Sequence, residues 1–225
     1  MKKLNKIFQI GFNKCGTNSI CLLFQDYSVP RIKVCHWDSG FLAYSMVMNE
    51  RQSKPLLEGK YENFTLYSDM ECHFVEEDGS TNWMFMYDKN HIPMLDEQYP
   101  NSKFILNIRD VDNWIKSRMS HLMGLESIKE GKENLERIYP RIPYKDLHKE
   151  FFGCGNDKEI EEYWRNQWKE HIDFVLEYFK NREQDLIVFD IEVDTLDKFK
   201  NFFEPYDISF KTDSIPHLNK TKKDA

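Results

Sequence analysis

The 225-residue chain is marked first by what it does not contain. Its five cysteines, at 15, 21, 35, 72 and 154, form no C-x-x-C pair and no zinc-ligand spacing. An odd, scattered set of this kind argues against a disulfide framework and for reduced thiols in a cytoplasmic setting. No segment approaches the roughly 18 consecutive apolar residues that a membrane span needs. The apolar stretch behind the basic "MKKLNKIF" is too short for a signal peptide. The chain is therefore expected to be soluble, without a membrane partner. Basic residues are outnumbered, 31 Lys and Arg against 38 Asp and Glu, and the net charge of -7 repels nucleic acid and anionic lipid. Any anionic ligand must then be met by a local basic site. No internal repeat and no low-complexity tract breaks the chain.

What is present is a core and an alternating pattern. Hydrophobic residues make up 40% of the chain and aromatics 15%, enough for one sizeable core and a single domain over 1–225. Short apolar or β-branched runs predict strands at Lys6–Gly11, Arg31–Trp37, Phe64–Ser68, Lys103–Ile108 and Asp185–Ile191. Between them, helices are expected at Thr17–Asp26 with Thr17 or Asn18 as N-cap, Gly40–Arg51, Asn82–Tyr99, Val111–Met123 and Lys158–Arg182. Such alternation predicts an α/β three-layer sandwich around a central parallel sheet of about five strands, with ligands at the carboxyl ends of the strands. The stretch 124–157, with "YPRIPY" and "FFGCGND" as breakers, reads as an insertion that forms a lid or acceptor loop.

Two strand-to-helix junctions carry the inventory of anion sites. The first, "GFNKCGTNS" at 11–19, combines Gly11 and Gly16, which allow a tight turn, with Lys14 and the side-chain donors Thr17, Asn18 and Ser19. Amides at a helix start lack intrahelical partners and attract anions. A Walker A loop requires G-x-x-x-x-G-K-[ST], and here the lysine precedes Gly16. The second junction, "FILNIRDVDNWIKS", places Arg109 at a strand end and Ser117 eight residues on, about two helical turns later. A guanidinium fork and a hydroxyl there suit a second phosphate, although an ion-pair partner would suit Arg109 equally.

Together, "GFNKCGTNS" and "RDVDNWIKS" resemble the two nucleotide-binding motifs of the sulfotransferase family. The closing course "DLIVFDIEV…FFEP…IPHLNKT" resembles the end of its small soluble bacterial, viral and algal-type members. The resemblance implies a P-loop-like topology and a donor, 3'-phosphoadenosine 5'-phosphosulfate (PAPS). It implies that Lys14, Gly16, Thr17, Asn18, Ser19 and the backbone amide of Cys15 grip the 5'-phosphosulfate. It makes Arg109 and Ser117 the 3'-phosphate grip, and lets His217, Asn219 and Lys220 fold back over the nucleotide; a frayed tail is the alternative. No metal is required in the family.

In-line sulfuryl transfer to a hydroxyl or amine would ask the protein for positioning and charge stabilisation, with Lys14 at the leaving oxygen. An acceptor hydroxyl also needs a base. His36 in "KVCHWD" resembles part of the "KEVHFFD" stretch of glycosaminoglycan sulfotransferases, Asp69 in "LYSDMECH" is its rival, and Asp38, Glu71 and His73 from the same two stretches are further candidates. The acceptor, a small molecule or a glycan, is not specified by any further motif. Two other classes fit parts of the pattern: a nucleotide kinase or NTPase, since "LIVFD" ending in Asp190 resembles a Walker B strand, and a catalytically silent nucleotide-binding module.

Overall fold

In a computed structural model the structure describes residues 3–76, 78–124 and 141–216. Five strands form one sheet: β1 (Ile7–Gln9), β2 (Val34–His36), β3 (Leu66–Ser68), β4 (Lys103–Ile108) and β5 (Leu186–Asp190). Their order is β5-β4-β1-β3-β2 and every pairing is parallel. Ile7 is in register with Leu66 on one side and Lys103 on the other, and Val34 with Leu66. All five strands fall within the predicted runs, and the expected α/β fold with helices on both faces is present.

The alternation of side chains along β1 divides the core into two layers. On one face Ile7, Leu66, Ile105, Ile187 and Phe189 pack with Ile20 of α1 (Thr17–Leu22) and with Leu196, Phe199 and Phe203 of α7 (Leu196–Phe203). On the other face Phe8 lies 5.5 Å from both Tyr67 and Phe104, and Phe104 lies 4.8 Å from Phe179, ring centre to ring centre. Each of these fully buried rings contributes about 1.5–3 kcal/mol relative to an exposed one.

The remaining helices are α2 (Phe41–Arg51), α3 (His91–Gln98), α4 (Val111–Met119), α5 (Tyr144–Phe152) and α6 (Asp157–Tyr178). α1 continues into a π-helical turn at Leu23–Tyr27. Two predicted helices are corrected. Asn82–Tyr99 holds the second strand of a hairpin, Glu71–Val75 with Thr81–Phe85, and only then α3. Val111–Met123 stops at Met119, before a short strand at Leu122–Gly124. Among the described residues no helix is long and apolar enough to cross a membrane.

Contacts divide the chain into two compact units, residues 1–109 with 171–225, and residues 110–170. The second unit is centred on Arg118, which is fully buried among the rings of Trp114, Tyr144 and Trp164 at 4.6, 4.9 and 4.8 Å. Arg118 also donates to the Tyr144 hydroxyl at 2.8 Å. Cation–π contact suits the weakly hydrated guanidinium plane, which stacks on rings where an ammonium would keep its water. Residues 125–140 of the expected insertion lie outside the described residues; 144–152 of it are helical, as α5.

Candidate functional site

The sheet order sets the site. β1 lies between β4 and β3, so the loop that follows it is flanked by the ends of both neighbours. Gly11 donates its amide to Asn107 Oδ1 of β4 at 3.1 Å. The approach is so close that a Cβ on Gly11 would stand 2.0 Å from the Asn107 carbonyl oxygen. Asn107 Nδ2 in turn donates to the carbonyls of Phe12, at 3.4 Å, and Cys15, at 3.1 Å. One fully buried amide therefore ties the first and last thirds of the loop to the sheet.

Between these ties Lys14 adopts φ +66, and just beyond them Gly16 adopts φ +78. The left-handed region strains a residue with a Cβ, so Lys14 is held there by its surroundings. At Gly16 a Cβ would also stand 2.7 Å from Ile191 Cγ1. Gly16, rather than Thr17 or Asn18, occupies the N-cap of α1, and its carbonyl accepts from Ile20 at 3.0 Å. Thr17 and Ser19 are buried, Lys14 is half-buried, and Asn18 is exposed.

Arg109 closes one side of the loop. Its Nη1 donates to the Lys14 carbonyl at 3.2 Å, and its Nε and Nη2 donate to Glu192 Oε1 at 3.1 and 2.6 Å. Burial lowers the Lys14 pKa; the Asp69 carboxylate opposes that and the Arg109 guanidinium adds to it. Lys14, Asp69 and Arg109, far apart in sequence, thus share one electrostatic site.

On the other side β2 and β3 end at His36 and Ser68, in register. His36 Nε2 stands 3.8 Å from Asp69 Oδ2, and its Nδ1 stands 3.7 Å from Cys21 Sγ. Burial pushes the imidazole down to about 4, so it is neutral at pH 7. Cys21 and His36 with Asp69 have the order of a thiol-nucleophile site, but the chemistry does not follow. Burial pushes the Cys21 thiol up to about 12, and a protonated thiol is a poor nucleophile. Beneath them Gln9 Oε1 accepts from Ser68 Oγ at 2.5 Å and from Cys21 Sγ at 3.7 Å. Beyond His36 the residues Trp37, Asp38 and Ser39 all have positive φ, and Asp38 Oδ2 accepts from Lys60 at 2.7 Å and Tyr61 at 2.6 Å.

The other residues singled out by sequence are placed as follows. His73 lies 5.4 Å from Trp83 in the hairpin, ring centre to ring centre and tilted by 36°, while Phe85 and Tyr87 pack edge-on against Phe12. Asp190 Oδ1 accepts the Glu192 amide at 2.9 Å, closing its own turn. Ser117 is half-buried on α4, in the unit 110–170, where Asp110 caps the helix by accepting from the Asn113 amide at 3.0 Å. His217, Asn219 and Lys220 lie outside the described residues. Sequence reasoning missed Asn107, Gln9, Asn13 and Glu192. The first two did leave a signal, as polar residues inside otherwise apolar strands, where an unpaired amide is costly.

Among the described residues no group of three or more His, Cys, Asp and Glu side chains is placed to hold a metal ion. A family model described as "Sulfotransferase domain" matches residues 6–222. No curated protein matches the chain.

Proposed function

The chain belongs to the sulfotransferase domain family, and from that premise we propose that it transfers a sulfuryl group from PAPS to a hydroxyl or amine of a small-molecule or glycan acceptor. The observation that carries the reading is the joining of the two basic groups: Arg109 donates to the carbonyl of Lys14 itself. The loop after β1 and the residue after β4 thereby bring two cations together at the carboxyl ends of the strands, with Asp69 and Glu192 beside them, in a protein of net charge -7. The loop fits an anionic group in a second respect: it ends at the N-cap Gly16 of α1, and the amides at a helix start, which lack intrahelical partners, attract anions.

The donor, when bound, supplies the sulfuryl group and a phosphate oxygen on which negative charge grows as transfer proceeds. Lys14 answers that charge: its ammonium is partly desolvated, where electrostatic attraction is stronger than in water, and Asp69 favours its charged form. Arg109, braced by Glu192, holds the nucleotide's 3'-phosphate. His36 accepts the acceptor's proton. The imidazole is neutral and one ring nitrogen is free of a proton, but burial weakens it as a base, so the role depends on Asp69 at 3.8 Å stabilising the imidazolium that results. None of the five cysteines is in a disulfide, which suits a reducing cytoplasm.

Calorimetric titration with adenosine 3',5'-bisphosphate, AMP and ATP, each with and without magnesium, tests the reading. Magnesium-independent binding that requires the 3'-phosphate is expected. Binding of ATP only with magnesium would favour an NTPase and overturn it.

A further inference from the structure

The tie from Asn107 reaches the loop from the β4 side, and a second tie reaches it from the β3 side. Glu71 begins the hairpin that follows β3 and is only 4% exposed. Its Oε1 accepts from Asn13 Nδ2 at 2.5 Å, and its Oε2 accepts from the Tyr87 hydroxyl at 3.3 Å. Asn13 is itself 6% exposed and immediately precedes Lys14, the residue held at φ +66. The same corner is packed from below. Tyr87 stands edge-on to Phe12 at 6.1 Å and to His171 at 5.9 Å, and His171 Nε2 donates to the Ile10 carbonyl at 2.7 Å.

A carboxylate this deeply buried loses its hydration, and its hydrogen bonds must offset the loss. With its oxygens turned toward Asn13 and Tyr87, Glu71 is placed to hold the loop rather than to take an acceptor's proton.

We propose that Glu71 is a positioning residue: through Asn13 it fixes the backbone of Lys14 and the adjoining amides in the conformation that grips the 5' anionic group of the donor. The proposal rests on the donor site described under the proposed function. Arg109 binds at the other end of the nucleotide and keeps its two hydrogen bonds to Glu192 when its contact with the Lys14 carbonyl is disturbed, so loss of Glu71 should be felt chiefly at the 5' end.

The test compares two probes, adenosine 3',5'-bisphosphate and adenosine 3'-monophosphate, titrated into the full chain by calorimetry. The ratio of their affinities measures what the 5'-phosphate adds. Glu71→Ala is expected to cut that ratio about tenfold, the scale of one unmade buried charged hydrogen bond, while the monophosphate affinity stays within about twofold. Glu71→Gln, which keeps an acceptor for Asn13 and a donor for Tyr87, should retain the wild-type ratio. Asn13→Ala should reproduce the loss and add little to it in the Glu71→Ala background, as coupled neighbours do. Circular dichroism of each variant checks that it folds, and Asn13→Ala carries the test if Glu71→Ala does not.

A merely structural role would weaken both probes alike and leave the ratio unchanged, which would overturn the proposal. Additive losses, or a Gln variant as weak as Ala, would overturn it too. A wild-type ratio near one would sink the donor site and the proposal with it, whereas an unchanged ratio in the variants sinks the proposal alone.

Discussion

Replacing Asn107 puts the loop geometry to its most direct test. The Asn107 side chain accepts from Gly11 at 3.1 Å and donates to Phe12 at 3.4 Å and Cys15 at 3.1 Å, all out of contact with water. Asn107→Ala leaves one buried amide and two buried carbonyls without that partner. Counting two good bonds and one long one, the loss is about 2–4 kcal/mol, a large part of a typical 5–15 kcal/mol stability. Asn107→Asp is the sharper probe. One carboxyl oxygen keeps the Gly11 amide, but the other faces the Phe12 and Cys15 carbonyl oxygens and must carry a proton to bond to either. Burial and those oxygens raise the folded pKa of the new acid above its unfolded value of about 3.9. In the window between the two values the native state binds more protons than the unfolded one. The variant therefore loses stability relative to wild type as pH rises through that window, and the deficit levels off above the folded value. Urea unfolding followed by tryptophan fluorescence, from pH 4 to 8, measures it. A pH-independent deficit below about 1 kcal/mol would refute Asn107 as the anchor of the loop.

Other expectations follow from the same geometry. Lys14→Ala should reduce donor turnover, read as release of adenosine 3',5'-bisphosphate, by more than it reduces nucleotide affinity, because its charge matters most as the leaving oxygen becomes anionic; equal losses would contradict that role. Arg109→Ala should erase the preference for a 3'-phosphate, and an unchanged ratio of affinities for nucleotides with and without it would remove Arg109 from the site. Gly16→Ala meets both a φ of +78 and Ile191 at 2.7 Å. Ile191→Ala should thus restore part of its lost thermal stability, and no restoration would mean that backbone strain alone is responsible. Burial alone would lower the His91 pKa, but its hydrogen bonds to Asp88 at 2.7 Å and Glu50 at 3.2 Å raise it above the ordinary value. That stabilisation is fully present below about pH 6.5 and is lost as pH rises through the raised folded value; His91→Gln should flatten this limb of the stability profile, and an unaltered limb would rule the residue out.

The sheet could be read from the sequence because each strand is a short apolar run closed by a turn or charge, as in Lys103–Ile108 before Arg109. The hairpin at 71–85 could not be separated from helix by apolar spacing, since its second strand opens the unbroken apolar run Trp83–Tyr87, which shows neither period. Its turn signal, Asp78-Gly79-Ser80, was in the sequence, and Gly79 adopts φ +83 there. Lys14 and Arg109 stood out by type and by position after a strand. Their contact did not, because it depends on which strands become neighbours. Asn107 and Glu71 were harder still. A polar residue in a buried run reveals that it needs a partner but not which one, and Glu71 looked like a possible base until its carboxylate was found facing Asn13 and Tyr87.

A loop held at Gly11, Phe12 and Cys15 from one flank and at Asn13 from the other has little freedom left to lose when a ligand arrives. The entropy of ordering was spent when the chain folded, so association should proceed at a rate set by encounter and not by rearrangement. The same rigidity fixes the width of the turn. Under the proposed donor site, a bulkier anion would not be admitted by opening the turn, and selection by size would lie in the backbone.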